Sequence, residues 1–259
     1  MDNNKKMIGL VLGGGAALGM AHVGVLKALE EYNIKPDLIV GTSIGAIAGA
    51  LHCAGYNVKE LEEIAMELRT HKLFDLNLKP TGLVKGSGVF KIVKKYINPE
   101  MEFNDLKTKF VCNAVNLNTG KEEVFSTGNV LQAVRASYSV PGVFAPATIN
   151  DCKYVDGGLL NNVPSNIARN LGANIVIAVD VVNAYEPPKK ISNVVDIIHY
   201  SLKVNLVNSV KVGCADITIK PNTAEHKMHV FKPTATKHLI EQGYNATIEA
   251  IDEIKKIIS

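Results

Sequence analysis

Apolar residues recur along this chain in two alternating spacings. Met7 to Leu12 is a short unbroken apolar run bounded by glycines, suited to a strand buried on both faces. Met20 to Tyr32 then places Val23, Leu26, Ala28 and Leu29 at helical spacing and ends on Glu30-Glu31. After the Pro36-Asp37 turn, Leu38–Val40 reads as a strand and Ile44–Ala54 as a helix, which Gly55-Tyr56-Asn57 closes. Val58 to Arg69 is amphipathic and predicts a further helix. His71 to Gly88 is irregular, and Val89 to Ile97 is helical again. Phe110–Asn116 and Glu122–Phe125 flank Asn118-Thr119-Gly120 as a hairpin, and Ala147–Ile149 and Lys153–Val155 form a second around Asn150-Asp151. Between them lie a short helix, Val130 to Ala136, and a loop opened by Pro141-Gly142. Val163 to Asn170 predicts a helix with Pro164 near its start. Ile175–Val182 is the strongest apolar strand; Val194–Val207 is a helix and Ile217–Lys220 a late strand. Lys237–Ile258 is a C-terminal helix interrupted near Gly243.

Strands alternating with helices predict an α/β fold: a three-layer sandwich with a mostly parallel central sheet flanked by helices. The hairpins add antiparallel edge strands. No repeat or low-complexity linker divides the chain, so 1–259 is read as a single domain, with about 70–100 as an insertion near the active site.

Composition narrows the function classes. Of 259 residues, 47% are hydrophobic and 20% charged, a globular balance, and the net charge of +3 is too small to argue for nucleic acid. Cys53, Cys112, Cys152 and Cys214 form no C-x-x-C pair and lie in or beside apolar stretches. They read as free thiols in a reducing compartment rather than a disulfide framework or zinc site. The apolar run behind the polar N-terminus breaks at Gly13-Gly14-Gly15 and reads as a first strand, not a secretory segment. No window approaches about 18 uninterrupted apolar residues, so no transmembrane helix is expected and the cytoplasm is the default.

Two glycine-bearing turns carry candidate chemistry. Gly41-Thr42-Ser43-Ile44-Gly45 sets a serine between a strand and a helix, the arrangement of a nucleophile elbow. By itself the pattern also fits a tight turn with an incidental serine. Gly13-Gly14-Gly15-Ala16-Ala17-Leu18-Gly19 joins the first strand to the first helix and exposes backbone N–H groups to an anion. A dinucleotide loop would need a third glycine where Leu18 stands and an acidic residue after the second strand, and neither is present. The Gly-Lys-Ser/Thr triplet of a nucleotide-binding P-loop is also missing. An oxyanion hole facing Ser43 fits better, because both turns would leave the carboxyl ends of neighbouring strands.

The seven histidines, His22, His52, His71, His199, His226, His229 and His238, occupy no obvious strand-end turn. His226 and His229 have a metal-like spacing without a matching third ligand, and no metal or cofactor is expected. Asp156 does end a strand, before Gly157-Gly158; alone it also fits a turn aspartate bound to its own backbone.

Four stretches together resemble the patatin-like phospholipases, from Gly9 to about Ala250: Gly13 through Leu26, Val40-Gly41-Thr42-Ser43-Ile44-Gly45, Ala136 through Phe144, and Asp156 through Pro164. By size the chain looks like the short stand-alone bacterial members. The resemblance implies a Ser-Asp dyad, with Ser43 as nucleophile and Asp156 as general base, and an oxyanion hole from Gly14, Gly15 and Ala16. Gly13, Gly19, Gly41, Gly45, Gly157 and Gly158 support the motifs, and His22 is structural. It implies a lipid or acyl-ester substrate of the phospholipase A, lysophospholipase or carboxylesterase type. Ala16 replaces a usual fourth glycine. Leu18 replaces a usual cation, which leaves the phospholipid headgroup preference in question. A non-enzymatic acyl-lipid-binding regulator on the same fold is the alternative, with the Leu18 substitution in its favour. The 70–100 insertion and the Pro141–Pro146 loop are candidate walls of an acyl channel. The Lys91, Lys94 and Lys95 face could rest on an anionic membrane as a peripheral contact, or be an ordinary solvated face.

Overall fold

Alternation of core-facing side chains sets the layers. A computed structural model describes residues 6–68, 76–79, 82–84, 87–183, 187, 191–192, 194–210, 214–226, 228 and 232–259. The strands are β1 (Ile8–Leu12), β2 (Leu38–Gly41), β3 (Leu76–Lys79), β4 (Gly82–Val84), β5 (Lys109–Asn116), β6 (Lys121–Phe125), β7 (Ala147–Ile149), β8 (Cys152–Asp156), β9 (Ile175–Val179) and β10 (Ile217–Ile219). The helices are α1 (Ala21–Glu31), α2 (Ile44–Ala54), α3 (Val58–Leu68), α4 (Ser87–Tyr96), α5 (Val130–Ser137), α6 (Ser165–Asn170), α7 (Val194–Asn208) and α8 (Pro233–Ile258).

β10, β9, β1, β2 and β5 run parallel in that order, and β6, β8 and β7 add antiparallel pairings. Every residue of β1 and β9 is buried, as expected of strands covered on both faces. Period-two alternation divides them. Leu10, Leu12, Ile39, Phe110, Ile177 and Val179 join the larger core with α1, α2, α3, α5 and α8. Val11, Val40, Val111, Val176 and Ala178 face the smaller core with Ile167 and Ala168 of α6. This is the expected α/β sandwich, with each fully buried Leu, Ile or Val stabilising it by roughly 1.5–3 kcal/mol.

The pairings of β5 determine where the site forms. Cys112 is opposite Gly41 of β2 and Phe125 of β6, so β2 and β6 occupy opposite edges. Ala114 is opposite Asp156 of β8 and Glu123 of β6, so β8 shares the edge held by β2. β2 runs parallel to β5 and β8 antiparallel, so the two meet end to end on that one edge.

Three elements differ from expectation. α8 runs unbroken through Gly243, because that glycine is a contact point: a Cβ there would lie 1.9 Å from the Ala21 carbonyl oxygen. Gly24 of α1 is the counterpart, since its Cβ would lie 1.8 Å from the Ile240 oxygen. β9 stops at Val179 because the Asp180 carboxylate accepts the Val182 N–H (3.0 Å) and turns the chain. Within the irregular 71–88 stretch, β3 and β4 pair as a separate antiparallel hairpin, while 69–75, 80–81 and 85–86 lie outside the described residues.

Candidate active site

Ser43 stands between β2 and α2 in a conformation that few non-glycine residues adopt, φ 54° and ψ −119°. Holding it costs on the order of 1–3 kcal/mol, which the surroundings must supply. They do so from three directions. Thr42 N–H donates to the Leu12 carbonyl (3.0 Å), and Ser43 N–H donates to the Ser137 hydroxyl (2.9 Å) at the end of α5. Ser43 carbonyl accepts the N–H groups of Ala46 (3.0 Å) and Ile47 (3.2 Å). Flanking side chains would break the turn: a Cβ on Gly41 would meet Ala46 backbone at 2.6 Å, and one on Gly45 would meet the Leu12 oxygen at 2.1 Å. Gly19 leaves room for Ile44 in the same way.

The glycine loop lies beside the serine. A Cβ on Gly14 would be 3.3 Å from that of Ser43. Gly13 N–H is held by Val179 (3.0 Å), and His22 Nε2 bonds the Gly13 carbonyl (2.8 Å). His22 is fully buried, and burial lowers its pKa to about 4, so it is neutral and donates from Nε2. It braces the loop rather than reaching Ser43. Gly14, expected as an oxyanion donor, differs: its N–H is engaged by the Asn162 carbonyl (3.1 Å). Gly15 and Ala16 N–H have no acceptor among the described residues. Ala16 has a φ of 50°, the left-handed region where the usual glycine would be unstrained. Leu18 is 3% exposed and packs within the main core.

Asp156 ends β8; its carboxylate accepts the Gly158 N–H (2.8 Å), and the neighbouring Ser43 hydroxyl acts on it to lower its pKa. Its own N–H donates to Ser139 (3.0 Å), which ties the aspartate to the loop after α5. Burial pushes its pKa up to about 6, against the opposing pull of those two groups. Gly157 and Gly158 keep the turn open: a Cβ on Gly157 would lie 2.5 Å from Asn113 Oδ1, and one on Gly158 2.7 Å from Leu206.

The Pro141–Pro146 loop is pinned by Arg135, whose guanidinium donates to Ser139 and to the Ala145 carbonyl (2.8 Å). Arg135 also lies over the rings of Tyr138 and Phe144. His52 lies at the far end of α2, and His226 bonds His238 (2.7 Å). His71 and His229 are outside the described residues. Sequence patterns gave no role to Asn113, Ser137 or Asn162, although all three are fully buried and bonded to the site. The available signal for Asn113 was one polar residue in the otherwise apolar run Phe110–Val115.

This chain is similar to known proteins in sequence and in fold. The family model described as Patatin-like phospholipase matches residues 10–169. The protein named Lysophospholipase NTE1 of Candida albicans is 34% identical over 188 residues, 69% of this chain and 13% of that protein. The Aspergillus fumigatus protein of the same name is 36% identical over 186 residues, 68% of this chain and 12% of that protein. The chain thus spans about an eighth of the length of these relatives. VipD from Legionella pneumophila has a similar fold, with a TM-score of 0.60 at 15% identity over 96% of this chain and 67% of that one. With the elbow, glycine loop and aspartate turn all inside the matched residues, the chain belongs to the patatin-like phospholipase family.

Proposed function

We propose that the protein is a serine acyl hydrolase that cleaves fatty-acyl esters of lipids, of the phospholipase A, lysophospholipase or carboxylesterase type. The observation that carries this reading is the strained Ser43 turn beside a buried carboxylate whose pKa the serine lowers. Asp156 accepts the Ser43 proton as the oxygen attacks the ester carbonyl. Protonated Asp156 gives that proton to the departing alkoxide, which leaves as the alcohol; water then attacks the acyl-enzyme with Asp156 again as base, and the proton passes to Ser43 as the carboxylic acid is released. A carboxylate of pKa about 6 is a better base for this step than an ordinary one near 3.9. The tetrahedral oxyanion sits on the N–H groups of Gly15 and Ala16, with Gly14 shaping the loop. Each such donor is worth roughly 10²–10³-fold in rate.

The chain acts as one domain in this reading, because β9, β10 and α8 complete the sheet and core begun by β1 and α1. Among the described residues no helix is long and apolar enough to cross a membrane. Lys95 is paired with Glu67 (2.9 Å), which supports reading the α4 lysine face as a solvated one.

Purified protein is expected to hydrolyse p-nitrophenyl butyrate and lysophospholipid. Ser43→Ala and Asp156→Ala are each expected to reduce the rate by about 10³-fold or more with the circular dichroism spectrum unchanged. A fluorophosphonate probe should label Ser43. Full activity in Asp156→Ala, or labelling elsewhere, overturns the dyad.

A further inference from the structure

β2 and β8 meet end to end on one edge of β5, and one β5 residue lies in the gap between them. Cys112 is paired with Gly41 and Ala114 with Asp156. Continuing each register by one residue brings Thr42, after β2, and Gly157, after β8, to Asn113 from that same edge. These residues flank Ser43 and Asp156. We propose that Asn113 is a positioning residue that locks the serine turn to the aspartate turn, a role that rests on the acyl-hydrolase reading above.

The Asn113 side chain is fully buried, and its amide serves both turns at once. Its Oδ1 accepts the Thr42 hydroxyl (2.8 Å). Its Nδ2 donates to the Asn161 carbonyl (3.0 Å), beyond the aspartate turn, and to Glu122 (2.9 Å) on β6. The orientation is fixed by chemistry: a flipped amide would set its oxygen against the Asn161 and Glu122 oxygens and its nitrogen against the Thr42 hydroxyl. Gly157 fits this contact closely, since a Cβ there would touch both the oxygen and the Cγ of the amide, at 2.5 and 2.6 Å. An aspartate in the same place keeps the shape and the acceptor but loses both donors and gains a charge beside Glu122. A displacement of either turn by about 1 Å is enough to cost about 10² in rate.

The test uses the full chain and the variants Asn113→Asp, Asn113→Ala, Thr42→Val and Thr42→Ser, with Val25→Ala as a core-destabilised control. Active serines are titrated with a fluorophosphonate, and kcat is expressed per titrated site with p-nitrophenyl butyrate. The expected result is a fall in kcat of about 10²-fold for Asn113→Asp and Thr42→Val, with KM changed by less than about twofold. Thr42→Ser, which keeps the hydroxyl, should retain kcat, and so should Val25→Ala. The Thr42→Val/Asn113→Ala pair should be no worse than Asn113→Ala alone, as for two halves of one link. Hydrogen exchange supplies a readout independent of turnover: Asn113→Asp or Thr42→Val should speed exchange in both 42–47 and 157–162 relative to Val25→Ala. Normal kcat per titrated site in folded Asn113→Asp and Thr42→Val, or exchange raised in only one turn, overturns the proposal. If the wild type neither turns over nor labels, the acyl-hydrolase reading fails, and exchange in the two turns still decides whether Asn113 couples them.

Discussion

Asp156 is 5% exposed and its pKa is raised to about 6, so the ionised form that the proposed mechanism uses as base prevails only above about pH 6. Activity should fall on the acid side with an apparent pKa of about 6, measured as kcat/KM against pH. The same shift affects stability. A carboxyl whose folded pKa is raised binds its proton more tightly in the folded state, so its favourable contribution is complete below about pH 4 and is lost as pH rises through 6. At pH 8 the charged group costs on the order of 2–3 kcal/mol. Asp156→Asn should therefore raise the melting temperature at pH 8 and change it much less at pH 4, while removing activity. Calorimetry at both pH values checks this. Ser43 and Asp156 were candidates in the sequence because each sits in a short local pattern with glycines, and the family resemblance gave them their paired roles. Asn113 was not, since its partners Thr42 and Asn161 belong to other elements and only strand register brings them to it.

Helix α8 shows how a local signal misleads at the scale of the element. Gly243 reads as an interruption because glycine weakens an isolated helix by roughly 1 kcal/mol relative to alanine. In the fold it faces Ala21, and Gly24 faces Ile240, so the backbones of α1 and α8 touch where side chains would hold them apart. Packing thus outweighs propensity. Gly24→Ala should destabilise the protein by about 3 kcal/mol or more, since the neighbours it meets are backbone atoms that cannot rotate away. Urea denaturation of the variant checks this, and an unchanged midpoint would mean the crossing is looser. The β-α-β-α start was legible for the opposite reason. β1, β2 and α2 are continuous apolar runs whose period and glycine boundaries agree with their place in the sheet.

For the whole molecule, the site depends on chain far beyond the matched family segment. β1 pairs along its full length with β9, and Gly13 of the glycine loop is held by Val179. A fragment ending at Asn170 retains every motif residue but lacks β9, β10 and α8. It should be protease-sensitive and inactive, as limited proteolysis and probe labelling would show. The layer order was legible from alternating strands and helices; the head-on meeting of β2 and β8 was not, because it depends on two pairings to a third strand. That meeting has a genetic consequence. The spacing of Ser43 from Asp156 is counted in residues along β5. A single codon gained or lost near Asn113 would move one turn by about 3.3 Å and send the following side chains to the opposite face. The same codon change in the Asn118–Gly120 hairpin turn falls beyond the last paired residue and leaves the count intact. Length variation among descendants of this chain should accordingly avoid residues 112–114 and collect in the turns.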